Sequence, residues 1–204
     1  AAINGFRHLA DSNEFLLDKN NNIKKKLLKK LEIDTDFMVF GFTSIIWEHF
    51  IKKLLKKKIN LKKNNGYLFH GGGWKKLENI SITKKNFNKH IHNCLGINKI
   101  YNYYGMIEQT GSIFIECEKG FYHPSIFSDI IIRDKNLNIC IINEIGIIQV
   151  SSLLPLSYPG HNILTEDMGK IVNNDGCKCR RKGKYFEVLG RIPETEIRGC
   201  SDVY

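Results

Sequence analysis

Tyr103-Tyr104-Gly105-Met106-Ile107-Glu108-Gln109 sets an aromatic pair, a glycine turn and a lone carboxylate in one short stretch after the strand-like Asn98-Lys-Ile-Tyr-Asn102. That order suits an adenine nucleotide: a ring for the base, a glycine where backbone must come close, a carboxylate for Mg2+. Two later segments add to it. Thr165-Glu166-Asp167-Met168-Gly169 reads as a turn bearing a second carboxylate, and Gly190-Arg191 closes Tyr185-Phe-Glu-Val-Leu189 with a cation. Gly71-Gly72-Gly73 follows the strand-like Tyr67-Leu68-Phe69 but has no Gly-Lys-Ser/Thr after it, so it is not a phosphate loop of that kind. On residue types alone it is either a ligand-facing turn or a plain one.

Cysteine offers a second chemistry. Cys117, His123, Cys177 and Cys179 together supply three thiolates and an imidazole, a set that Zn2+ favours. Their spacing is not that of a standard zinc finger, so separate buried cysteines and a surface histidine are the other reading. Cys94 and Cys140 lie in apolar surroundings and read as core. Cys200, beside Arg198 in a small and polar tail, combines exposure with a nearby cation, the two conditions for a reactive thiolate.

The elements that must hold these groups follow from periodicity. Residues 14–33 read as one helix, with Phe15, Leu16, Ile23, Leu27, Leu28 and Leu31 on its apolar side. Asp36 to Gly41 reads as a short buried strand. Thr43 or Ser44 is expected to cap the next helix, where Trp47, Phe50, Ile51, Leu54 and Leu55 recur at helical spacing. Another helix is expected from Ser81 to Leu95. Alternating helix and strand is the pattern of a parallel α/β sheet. Past Gly111 the chain becomes short β-rich runs: Ile113 to Glu116, Ile126 to Arg133, Ile139 to Asn143, Gly146 to Ser151, Lys170 to Asn173 and Tyr185 to Leu189. The expected fold class is thus α/β: a parallel-sheet lobe over residues 1–110, then a small antiparallel β-rich subdomain over 111–204.

The chain has 204 residues and a formal charge of +10, unevenly spread. Residues 1–100 hold 20 Lys and Arg against 8 Asp and Glu, whereas residues 101–204 hold 11 against 13. Arg7 is the only arginine in the first half, and arginine is the preferred reader of phosphates and bases, so the lysines are read as a solvated surface rather than a nucleic-acid groove. No apolar run reaches 18 residues, so no membrane span is expected. Cys177 and Cys179 are too close for an easy mutual disulfide, and a reduced, cytoplasmic setting is expected.

In order and separation, the Tyr104-Glu108, Asp167 and Arg191 segments resemble the adenylate-forming superfamily of acyl- and aryl-activating enzymes. The tail Gly190-Arg-Ile-Pro-Glu-Thr-Glu-Ile-Arg-Gly-Cys-Ser-Asp202 narrows the resemblance to acyl-protein synthetases of the LuxE type. The resemblance covers about residues 35–202. It implies that Gly71, Gly72 and Gly73 present backbone to the adenine edge, that Tyr104 and Gly105 face the base, and that Glu108 holds the Mg2+ of ATP. Asp167 would accept both ribose hydroxyls, and Arg191 would offset charge as pyrophosphate leaves. Cys200 would take the acyl group as a thioester. Ile107 stands where the family usually has a threonine. The related phenylacetate-CoA ligase branch is similar around the cysteines, which implies a structural Zn2+ on Cys117, His123, Cys177 and Cys179, although Arg180 replaces a glycine there. The expected activity is ATP-dependent activation of a carboxylic, fatty acid and transfer to a protein thiol, with an acyl donor or acceptor protein as partner. A CoA ligase and a non-catalytic zinc-stabilised binding module are the alternatives. The family places a Ser/Thr/Gly-rich phosphate loop ahead of these segments. With none before residue 71 and no initiator methionine, the expectation is that upstream sequence is either lost or supplied by another chain, and that this chain is inactive alone.

Overall fold

A computed structural model describes residues 6–33, 36–61, 65–73, 82–109 and 111–193. They divide after Asn102 into two compact units.

The first unit is built on parallel strands. β1 (Phe37–Phe42) and β2 (Gly66–Gly71) pair from Phe37 opposite Gly66 to Phe42 opposite Gly71. β3 (Lys99–Tyr104) lies next to β2, and its last two residues, Tyr103 and Tyr104, belong to the second unit. Strand residues alternate between faces, and Phe37, Val39, Leu68 and Ile100 join one core with the helices. Those helices are α1 (Lys25–Ile33), α2 (43–56) and α3 (Lys84–Leu95). Trp47, Phe50, Ile51 and Leu54 of α2 are buried in that core, as their spacing predicts, but Leu55, in the same pattern, is exposed; Phe87, Ile91 and Leu95 of α3 are buried there too. Thr83 caps α3 by accepting from Asn86 N, and Gly96, at φ 70°, ends it in the left-handed form that glycine adopts most readily.

Two local expectations change. Only residues from Lys25 onward are helical in the stretch 14–33. Asp18 accepts hydrogen bonds from the backbone of Asn20 and Asn22, both at 2.8 Å, and Leu17 bridges Ile23 across the resulting turn. A short side chain that binds its own backbone diverts it from the helix, whatever the apolar period. Neither Thr43 nor Ser44 caps α2: Phe42 holds the cap position without a side-chain bond. The Thr43 hydroxyl is instead 3.0 Å from Gly71 O, to which it donates, and 2.9 Å from His70 Nδ1. The centre of α2, Ile46–Ile51, is wound as a π-helix.

In the second unit β4 (Phe114–Ile115) runs antiparallel to the end of β3, with Tyr104 opposite Phe114. A separate antiparallel sheet follows in simple order: β5 (Ser128–Arg133), β6 (Gly146–Ser152), β7 (Asn162–Asn173) and β8 (Tyr185–Arg191). Phe114, Tyr122, Ile130, Ile132, Ile148, Val150, Ile171 and Phe186 form its core. The α/β fold class with an antiparallel β-rich part is therefore as expected. The Ile139–Asn143 run is not a strand. Asp134 caps the backbone of Asn136 and Asn138, Glu144 accepts from Ile141 N, and one bridge from Arg133 to Ile139 remains. The predicted Lys170–Asn173 strand begins at Asn162, so Asp167 sits within β7 rather than on a turn. Among the described residues no helix is long and apolar enough to cross a membrane.

Candidate functional site

β7 and β8 pair Asp167 with Arg191, and the register shifts at Met168 and Gly169. This bulge bends the ladder where the two charged residues face each other. Arg191 Nε lies 3.8 Å from Asp167 Oδ1, and its Nη1 lies 3.6 Å from Glu166 Oε2. With its side chain 42 % exposed, Arg191 gains little stability from these pairs. Tyr104, at the end of β3, donates its hydroxyl to Asp167 Oδ2 at 2.8 Å. Phe114 stacks against the Tyr104 ring with centroids 6.0 Å apart, and Tyr122 and Phe186 meet it edge-on. One face of the half-buried ring is thus committed to the core.

Burial raises the Asp167 pKa, and the hydrogen bond from Tyr104 and the charge of Arg191 only partly oppose it. Glu166 and Glu108 add to the rise, so the Glu108 carboxylate is close enough to be felt. Glu108 itself is exposed, on the turn Ile107–Gln109. The loop packs closely at Gly105: a Cβ there would stand 3.2 Å from Ser112 O. Burial, helped by the Asp167 charge, also pushes the Tyr104 phenol far above its ordinary value, so it stays a donor.

Thr165 escaped the sequence reading as a functional residue. Its hydroxyl donates to Ile148 O at 2.7 Å and accepts from Asp167 N at 3.1 Å, which pins the bulge under the carboxylate. The signal was a threonine two residues before an aspartate, the spacing at which a hydroxyl reaches backbone locally.

The four expected metal ligands converge. Their ligand atoms all lie within 4.8 Å of one another. Cys117 Sγ is 4.0 Å from Cys177 Sγ, and Cys179 Sγ is 3.4 Å from His123 Nε2. A tetrahedral zinc would set these separations at about 3.8 Å between sulfurs and about 3.6 Å between sulfur and nitrogen. The donor set therefore fits, in type and in spacing. Two tight turns present it. Cys117 N donates to Phe121 O at 2.8 Å, and Arg180 N donates to Cys177 O at 2.9 Å while Arg181 N points at Cys179 Sγ. Arg180 has φ 69°, so the arginine takes the left-handed form that a glycine would adopt more cheaply. Among the described residues His123 Nδ1 is buried without a partner. Cys94 is buried, whereas Cys140 is only half-buried at the edge of the second core.

Comparison with known proteins decides the family. Residues 5–204 match the family described as acyl-protein synthetase, LuxE. The chain belongs to that family. Among curated proteins no sequence matches significantly. Several solved structures share the fold over most of this chain. A 2-hydroxyisobutyryl-CoA ligase, solved with 2-HIB-AMP and CoA, matches at a TM-score of 0.61 and 18 % identity, over 83 % of this chain and 39 % of that one. A benzoate CoA ligase from Burkholderia xenovorans matches at 0.53 and 13 % identity, over 81 % and 33 %. The luciferase-like enzyme of the nonluminescent mealworm Zophobas morio matches at 0.53 and 16 %, over 84 % and 41 %. The LuxE-family chain thus spans about two-fifths or less of the length of these relatives.

The structure brings Tyr104, Asp167 and Arg191 together, with Glu108 nearby, and gathers the cysteine-histidine cluster in the same unit. Gly71 ends β2 in the other unit, and Gly72 and Gly73 follow with φ of 78° and 58°, left-handed conformations that suit glycine. Cys200 lies outside the described residues.

Proposed function

We propose that this LuxE-family chain takes part in ATP-dependent activation of a carboxylic acid, by forming the acyl-adenylate and releasing pyrophosphate. The observation that carries the reading is Asp167, held between Tyr104 and Arg191 with Glu108 close by. Tyr104 occupies one lone pair of Oδ2, so Asp167 keeps Oδ1 and the rest of Oδ2 for the two ribose hydroxyls. The free face of the Tyr104 ring would lie along the base. Attack of a carboxylate on the α-phosphorus needs alignment and charge neutralisation more than proton transfer. Arg191 would turn from Glu166 toward the phosphate for that purpose. Glu108 is the residue to hold Mg2+, which supplies charge neutralisation at the phosphates when bound.

The acid we favour is a fatty acid and the acceptor the Cys200 thiolate. It would attack the acyl carbonyl, form the thioester and expel AMP. Family membership and the Arg198-Gly-Cys200 tail support this step. We also assign a structural Zn2+ to Cys117, His123, Cys177 and Cys179, on the strength of their spacing.

The test uses a chain that includes any polypeptide encoded ahead of Ala1. With labelled fatty acid and ATP, label should appear on the protein in a bond that neutral hydroxylamine cleaves. Cys200→Ser should lose the label and keep ATP–pyrophosphate exchange, since adenylation needs no thiol. Label found only on added CoA would make the protein a CoA ligase. Absence of exchange in the unmodified protein would sink the adenylation reading.

A further inference from the structure

Gln109 follows Glu108 and is fully buried. Both belong to the turn Ile107–Gln109, in which successive side chains point about a third of a turn apart. Glu108 therefore faces solvent while Gln109 enters the interior. The Gln109 carboxamide nitrogen donates to Val150 O at 3.2 Å and to Gly160 O at 2.8 Å, partners 41 and 51 residues away. An amide has two N–H hydrogens, so both are engaged. Val150 is in β6, opposite Ile163 of β7, and Gly160 lies in the loop that returns to β7. That loop is closed at its base by Ser152 N donating to His161 O at 2.8 Å. β7 carries Asp167. One side chain thus ties the Glu108 turn to the strand pair that presents the second carboxylate.

Gln109 is a poor choice if stability alone is wanted. Among the described residues its oxygen is buried without a partner. Two neutral hydrogen bonds return little net stability, and one orphaned amide oxygen takes a similar amount away. What the two bonds do supply is a fixed place for the turn.

We propose that Gln109 is a positioning residue, setting Glu108 at a defined distance from Asp167 so that a divalent cation on one meets a nucleotide held by the other. The inference rests on the nucleotide reading above. It is tested by calorimetry on the wild-type chain, Gln109→Met and Gln109→Asn, titrated with AMP without metal and with ATP at several Mg2+ concentrations. Methionine matches the length but donates nothing; asparagine keeps the amide one methylene short of its acceptors. Both variants should bind AMP as the wild type does, while apparent Mg2+ affinity in the ATP titration falls by about tenfold, the usual effect of losing a residue that orients a metal ligand. Raised Mg2+ should restore ATP binding. If the methionine chain does not fold, the asparagine variant is read alone. Unchanged Mg2+ dependence, or equal loss of AMP and ATP, would overturn the proposal, and so would failure of both variants to fold. A wild-type chain that binds neither nucleotide would instead remove the nucleotide reading, and this inference with it.

Discussion

Removing zinc from the cysteine-histidine cluster should loosen the second unit by an amount the structure sets. Cys117 and Cys177 are 60 residues apart in sequence, and their sulfurs stand 4.0 Å from each other. A metal that still joins them as the chain unfolds closes that loop, which is worth about 4 kcal/mol by the loop-entropy relation for cross-links. For a chain of this size that corresponds to roughly 10 °C in Tm. Protein prepared without chelators from zinc-containing medium should carry about one zinc per chain by elemental analysis. Chelation should lower the melting temperature by that margin, and added zinc should restore it. Cys179→Ser should lose metal at much lower chelator concentration, since it removes one of the four ligands. Cys94→Ser, at a cysteine of the other unit, should leave the metal in place. A metal-free preparation, or a melt that neither chelator nor zinc moves, would show that the four residues meet for packing alone.

Two further outcomes follow from the carboxylate site. Tyr104→Phe removes the hydroxyl bonded to Asp167 Oδ2 and should cost about 1–3 kcal/mol near neutral pH in denaturant unfolding, shrinking as acid protonates Asp167; an equal loss at all pH values would refute the bond to an ionised carboxylate. Asp167→Asn should be at least as stable as wild type at neutral pH yet bind no AMP. Burial holds the Asp167 pKa above its ordinary 3.8, so the folded chain keeps this proton longer than the unfolded one. Wild-type stability is therefore lost as pH rises from 3.8 through the raised value, and the variant escapes that loss; a less stable variant at neutral pH would contradict it.

Periodicity alone determined much of the first unit. Trp47, Phe50, Ile51 and Leu54 recur at the spacing of a helix face and are buried there, although Leu55, in the same pattern, is exposed. Local hydrogen bonding was harder to read, and it overrode periodicity at Asp18 and Asp134, whose carboxylates bind nearby backbone and shape turns where helix or strand was expected. Residue types also announced two half-sites for a metal, one around Cys117 and His123, the other at Cys177 and Cys179. Whether they meet was decided by pairing across the second unit, where Tyr122 bridges Phe186 and lays one turn beside the other. The same holds for Asp167. Its segment read as a turn, and only the register of β7 against β8 set it opposite Arg191, while Tyr104 reached it across 63 residues. Gln109 gave no sign at all, because its two acceptors are backbone carbonyls, and a carbonyl is the same at every residue. A periodic pattern records which face of one element is buried. Which elements then lie side by side depends on strand register and loop closure, and those belong to the folded chain as a whole.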